Sequence, residues 1–250
     1  MSEKPNWFYI PEWLAGDIWH FPYAYQTFSK YIPKEAHVLE VGFGSGRILT
    51  RIAKELNCKC IGVDLEDGAF PSLSFFSRQH RAEVGAIKGS GFALPFKDDS
   101  FDVVYSDGVI EHFPIDQSQE MIAEQVRACR GGGLVIISVP NKFAFFHSLT
   151  KLLLGKRFLF YPENSLSTFE LCRLMAKAGL TPIAKDGFAF GCQFYMFKAF
   201  FLDQALSTRL SKFGLSLLSL FKATNLYHFK NPNLNSLIGF QTLVVGCKQQ

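Results

Sequence analysis

The 250-residue chain contains no run of roughly 18 consecutive apolar residues, the minimum for a membrane-spanning helix. It has no basic tail or long Lys/Arg block, and 26 basic against 22 acidic residues leave a net charge of only +4. Nucleic acid is therefore not an expected partner. The six cysteines show no C-x-x-C spacing, which argues against a zinc knuckle or a disulfide framework; reduced, mostly buried thiols are expected. The six histidines (His20, His37, His80, His112, His147, His228) fall in different elements without ligand spacing, so no metal site is expected. The opening Met1-Ser2-Glu3-Lys4-Pro5 is polar and does not read as an export signal, and a cytoplasmic location is expected.

Apolar and aromatic residues are what the chain does have: 48% hydrophobic, 15% aromatic and 27 phenylalanines against 19% charged. Such a chain can bury a large core. Its most informative stretch runs from His37 to Leu49. Val38 to Val41 reads as a buried strand, Ile48, Leu49, Ile52, Ala53 and Leu56 as a helix, and three alternating glycines join them. A strand, a glycine loop and a helix start make a nucleotide-type site, because glycines let the backbone approach a ligand and the helix start offers free N–H groups.

The spacing narrows the cofactor. A dinucleotide loop reads G-x-G-x-x-G; here the third glycine comes one residue early, at Gly46, and Arg47 stands where that pattern wants glycine. Glu40 adds an acid that would repel a pyrophosphate. S-adenosylmethionine carries a sulfonium and an ammonium and no phosphate, so it tolerates that acid. Glu40-x-Gly42-x-Gly44-x-Gly46 resembles the first motif of class I S-adenosylmethionine-dependent methyltransferases. Asp64, at the end of a second strand Cys60–Asp64, follows the loop by about the distance at which an acid accepts bonds from ribose hydroxyls. Ala93-Leu94-Pro95-Phe96 followed by Ser100-Phe101-Asp102-Val103-Val104 resembles a signature of the small-molecule (type 11-like) members of that family.

The resemblance implies S-adenosylmethionine as cofactor, bound by Glu40, Gly42, Gly44, Ser45, Gly46, Asp64, Leu65, Ser90, Gly91, Phe92, Asp107 and Gly108. The family usually has an aspartate for the adenine amine where this chain has Ser90, whose neutral hydroxyl makes a weaker bond. His112, in Glu111-His112 after the fourth strand, resembles a histidine often found beside the methyl group. It is the candidate general base, with Glu111, Asp107, His20 and Tyr23 behind it.

Further strands are expected at Ala82–Lys88, around Val103-Val104, at Leu134–Asn141, Leu180–Lys185 and Gly239–Lys248. Helices are expected at Phe70–His80, at Asp116–Cys129 (stopped by Gly131-Gly132-Gly133) and from a Ser167–Glu170 capping box to Ala178. Alternation of strand and helix predicts an α/β fold. The expected form is a Rossmann-like, seven-stranded, mostly parallel sheet with helices on both faces and a helical insertion before the last strand. The whole of 1–250 reads as one domain. Residues 1–35 form an N-terminal aromatic cap, with one or two short helices in Asp17–Tyr31, and 188–236 an insertion whose Met196–Phe221 segment repeats apolar residues at helical spacing.

Lys142–Phe160 is apolar and basic. With the insertion it points to a small, lipophilic acceptor, one that could carry an acidic group; membrane-surface contact and a homodimer seam are the other uses such stretches allow. The competing functions are a nicotinamide-dependent oxidoreductase and a non-catalytic or membrane-associated protein on the same fold.

Overall fold

The computed structural model describes residues 21–157, 162–190 and 231–250. The aromatic residues before Phe21, the predicted Met196–Phe221 helix and Phe158–Phe160 lie outside the described residues.

One seven-stranded sheet has β1 (His37–Val41), β2 (Lys59–Asp64), β3 (Val84–Lys88), β4 (Phe101–Asp107), β5 (Cys129–Pro140), β6 (Leu180–Phe188) and β7 (Gln241–Lys248) in the order β3-β2-β1-β4-β5-β7-β6. All neighbouring pairs are parallel except β7 with β5 and with β6. Described helices are α1 (Phe21–Phe28), α2 (Arg47–Glu55), α3 (Ala69–His80), α4 (Ile115–Ala128), α5 (Phe145–Leu154), α6 (Thr168–Lys177) and α7 (Pro232–Ile238), with 3₁₀ turns at Ile110–His112 and Gly155–Arg157. The α/β, mostly parallel architecture is as the alternation predicted.

Side chains alternate along each strand, so each strand feeds two cores. Val38, Cys60, Val103, Tyr105, Ile136 and Val245 pack on one face with α1 and α2. Leu39, Val41, Val63, Val104, Ile137 and Val244 pack on the other with α4 and α6. Burial on both faces explains why the strands are almost continuously apolar. The described part of the cap belongs to the first core: the Phe28 ring lies 5.0 Å from Tyr105 and 6.3 Å from Phe188.

The triple glycine acts differently from its predicted role. α4 ends at Ala128 and the chain is already in β5 at Cys129, so Gly131–Gly133 lie inside the strand. Between the pairs Phe101↔Cys129 and Val103↔Leu134, β5 spends five residues where β4 spends two. This is a bulge. A Cβ on Gly133 would sit 2.8 Å from the Asp102 carbonyl oxygen, so the surplus backbone fits only without side chains. The third strand begins at Val84, two residues later than expected.

The reversal of β7 places its first residue, Gln241, opposite both Pro140 and Phe188, the last residues of β5 and β6. The start of β7 thus joins the edge formed by the carboxyl ends of the parallel strands, where open α/β sheets bind ligands.

Candidate active site

The glycine loop is shaped by three residues in the left-handed region, Gly42 (φ +73°), Gly44 (φ +51°) and Gly46 (φ +71°). Gly42 donates to the Val63 carbonyl at 2.7 Å, and a Cβ there would stand 2.6 Å from Val109. Gly46 N-caps α2 and packs against Leu73, so its role is to seat α2 on α3. It does not line the cavity described below, whereas Gly42, Phe43, Gly44 and Ser45 do. Around Gly44 there is open space, as a ligand approach requires.

Asp64 ties this loop to the next strand. Its Oδ2 accepts the Gly44 N–H at 2.8 Å and its Oδ1 the Glu66 N–H at 2.9 Å. Each carboxylate oxygen keeps a further lone pair for an incoming hydroxyl. Burial raises the Asp64 pKa, while the N–H groups of Glu66 and Gly44 pull it back.

A cavity of about 740 Å³ opens beside the loop, and twelve of the thirteen residues predicted from the sequence line it: Glu40, Gly42, Gly44, Ser45, Asp64, Leu65, Ser90, Gly91, Phe92, Asp107, Gly108 and His112. Glu40 is 3% exposed, and its Oε2 makes no hydrogen bond. Burial, reinforced by the charges of Asp107 and Asp64, drives its carboxyl well above the ordinary range, against a lowering hydrogen bond from Tyr105. Burial also pushes Asp107 up to about 7, against a lowering bond from Ser138. Two acids that resist ionisation beside a glycine loop suit a ligand that brings positive charge; they would oppose a pyrophosphate.

On the β3–β4 side, Leu65 is 62% exposed at the rim. Ser90 Oγ accepts the Phe92 N–H at 3.2 Å and so shapes its own turn. The Leu94-Pro95-Phe96 turn is staked from α4: the Leu94 N–H donates to Glu124 at 2.7 Å, and Arg127 donates to the Leu94 and Phe96 carbonyls at 3.1 and 2.9 Å. That brace gives the conspicuous stretch a physical purpose, since it fixes the Ser90–Phe92 wall.

The opposite wall was largely missed from the sequence. Pro140, Pro162, Glu163, Phe240 and Gln241 line it together with Glu111, His112 and Phe113. His112 Nδ1 is 3.0 Å from the Pro162 carbonyl oxygen, so a proton on Nδ1 leaves Nε2 as the basic nitrogen. Asn164 fastens the same loop to the β4 turn by its N–H to the Glu111 carbonyl (2.8 Å) and its side chain to the Phe113 carbonyl (3.1 Å).

Behind the loop, Glu163 Oε1 lies 2.8 Å from both His147 Nε2 and Lys151 Nζ on α5, and accepts from Ser165 Oγ at 2.9 Å. Burial alone would raise Glu163; the hydrogen bonds and charges of His147 and Lys151 outweigh it and hold its pKa at about 2. Lys142 is likewise paired, with Glu170 at 2.8 Å. The signal available for this wall was position: residues just past the β5 carboxyl end. Nothing in the spacing marked Glu163 or Gln241. Among the described residues no group of three or more His, Cys, Asp or Glu could hold a metal ion. No described helix is long and apolar enough to cross a membrane.

Residues 38–133 match the family described as a methyltransferase domain. A protein of Mycobacterium tuberculosis described as "probable S-adenosylmethionine-dependent methyltransferase" is 31% identical over 159 residues, 62% of this chain and 52% of that one. The chain thus spans about half the length of such relatives. Among solved structures, an S-adenosylmethionine-dependent methyltransferase of Thermotoga maritima matches with a TM-score of 0.60 at 21% identity, over 92% of this chain and 90% of that one. Geranyl diphosphate C-methyltransferase of Streptomyces coelicolor matches at 0.59 and 12% identity, over 91% and 79%. At these identities the structural likeness speaks for the fold. Taken with the matched domain and the order of its motifs, it makes the chain similar to the class I S-adenosylmethionine-dependent methyltransferases.

Proposed function

We propose that the protein binds S-adenosylmethionine across the carboxyl ends of β1, β2 and β4 and methylates a small acceptor held on the β5–β7 side. The observation that carries this reading is the shared cavity: Glu40, Gly44, Asp64, Ser90–Phe92, Asp107 and His112 come from four separate stretches and line one space. When bound, the cofactor would supply an electrophilic methyl group on a sulfonium.

The chain's part is to align the acceptor with that group and to handle one proton. Asp64 is the group for the ribose hydroxyls. Glu40 and Asp107 answer the cationic end, and Ser90 with the Gly91–Phe92 backbone the adenine edge. His112, held through Nδ1 by the Pro162 carbonyl, accepts on Nε2 the proton that an acceptor hydroxyl or amine releases.

The apolar lining of Phe92, Phe113, Met121, Pro140 and Phe240 favours a lipophilic acceptor. We read 1–250 as one domain, with 1–35 as cap and 188–236 as insertion. Exposed Phe145, Leu152 and Leu153 on α5 support contact with a membrane surface.

Calorimetric titration with S-adenosylmethionine and with NAD⁺ is the test. Saturable binding of the first and none of the second is expected; the reverse would return the oxidoreductase reading. Radiolabelled methyl uptake from lipid or quinol extracts then tests the acceptor class, and labelling of water-soluble molecules alone would remove the lipophilic reading.

A further inference from the structure

Glu111 lines the cavity and has no part in the methyl transfer just described. It is 2% exposed, and its Oε2 has no hydrogen-bond partner. Its Oε1 lies 3.9 Å from His112 Nε2, and the same atom stands 3.4 Å from where a Cβ on Gly108 would be. The charged groups facing it are Asp107 from β4, Glu163 from the 162–166 loop and Lys151 from α5. His112 is adjacent, and His147 bonds Glu163.

Lys151 and His147 of α5 are already committed, since both bond Glu163. Burial, with the charges of Glu163 and Asp107, pushes the Glu111 carboxyl well above its ordinary range, and Lys151 only partly offsets this. A buried acid of this kind favours a hydrogen-bonding cation in place of its proton and penalises a second anion.

We infer that the acceptor half of the cavity selects a lipophilic amine, anchored through its nitrogen on Glu111 Oε2, and rejects acceptors that carry a carboxylate or phosphate. This rests on the methyl-transfer reading above and narrows its substrate class. It also replaces the acidic acceptor suggested by the basic residues of 142–157, because Lys142 and Lys151 are held by Glu170 and Glu163. The exchange balances charge: an ammonium enters as the Glu111 proton leaves to solvent, so amine binding should release a proton and strengthen as pH rises toward neutrality.

The protein is first titrated with S-adenosylhomocysteine alone. Failure at that step would count against the cofactor reading. The complex is then titrated with octylamine, octanol and octanoate in two buffers of different ionisation heat. Octylamine is expected to bind at least ~10-fold more tightly than octanol, with proton release, and octanoate not at all.

Glu111→Gln should cost octylamine ~10-fold or more while leaving octanol and S-adenosylhomocysteine unchanged. If that variant unfolds, Glu111→Asp, which keeps the charge and shortens the reach, should weaken octylamine selectively. Octanoate binding as well as octylamine, no amine binding at all, or an octylamine affinity indifferent to both variants would each overturn the inference.

Discussion

The two walls of the cavity are built by different means. The cofactor wall is backbone N–H groups held by acceptors close in sequence: Gly42 on the Val63 carbonyl, and Gly44 and Glu66 on one Asp64 carboxylate, within a span of 25 residues. The acceptor wall relies on groups brought together from distant elements. A loop from 162 to 166 is fixed by His147 and Lys151 from α5, by the Glu111–Phe113 turn, and by the end of β5, where the Pro140 carbonyl accepts the Leu166 N–H. A wall of the first kind tolerates little change anywhere. A wall of the second kind can change its chemistry at single positions, provided that the buried charges stay matched.

The largest test of that contrast is Glu163→Ala. It leaves His147 and Lys151 facing a vacated buried site, and breaking such a group costs about 3–5 kcal/mol. Thermal melting should fall by about 10 °C or more, while S-adenosylhomocysteine affinity changes little. A loss of cofactor affinity with no change in melting would dissolve the distinction between the walls.

The same group sets an acid limit. The folded-state pKa of Glu163 is about 2, below the ordinary glutamate value of about 4.3. Its contribution is therefore complete above the ordinary value and is lost as pH falls toward 2, and the Ala variant should show less of that acid-side loss.

Asp64→Ala should act on the other wall. On the proposed binding mode, removing a charged acceptor of loop N–H groups and ribose hydroxyls should cost about 1.5–3 kcal/mol, or roughly 10- to 100-fold in cofactor affinity by calorimetry. Melting without cofactor should move less than in Glu163→Ala. Ser90→Asp is the mildest probe: a charged acceptor toward the adenine amine should tighten cofactor binding by a few fold, on the order of 1 kcal/mol. Unchanged or weaker binding would mean that the Oγ serves only the Phe92 N–H seen at 3.2 Å.

This contrast also explains what could be read from the chain. The cofactor wall was legible because each part must be a particular residue in a fixed local order: glycines at positive φ, an acid at a strand end, a braced Leu-Pro-Phe turn. Spacing alone does not separate a glycine that meets a ligand from one that packs on a neighbouring helix, as Gly46 does against Leu73. The triple glycine looked like a helix stop because its need, room beside the Asp102 carbonyl, comes from another strand. Glu163 and Gln241 had no local signature. Their partners lie 12 to 101 positions away, at Lys151, His147 and Pro140, and chain reversal at β7 brings Gln241 to the site.

That reversal has a further consequence for how the protein could diversify. Chain leaves the sheet at Phe188 and re-enters at Gln241, and these two residues are direct partners across β6 and β7. The exit is narrow: Gly187 and Gly239 both pack on the Asn235 backbone, so α7 closes the neck. A segment bounded by such a neck can be exchanged for another of different length and chemistry without shifting the register of the seven strands. The fold has in effect a socket at that edge of the sheet, and a chimera joined at Phe190 and Asn231, which keeps Phe188 and α7, should retain the strand register and this chain's affinity for the cofactor.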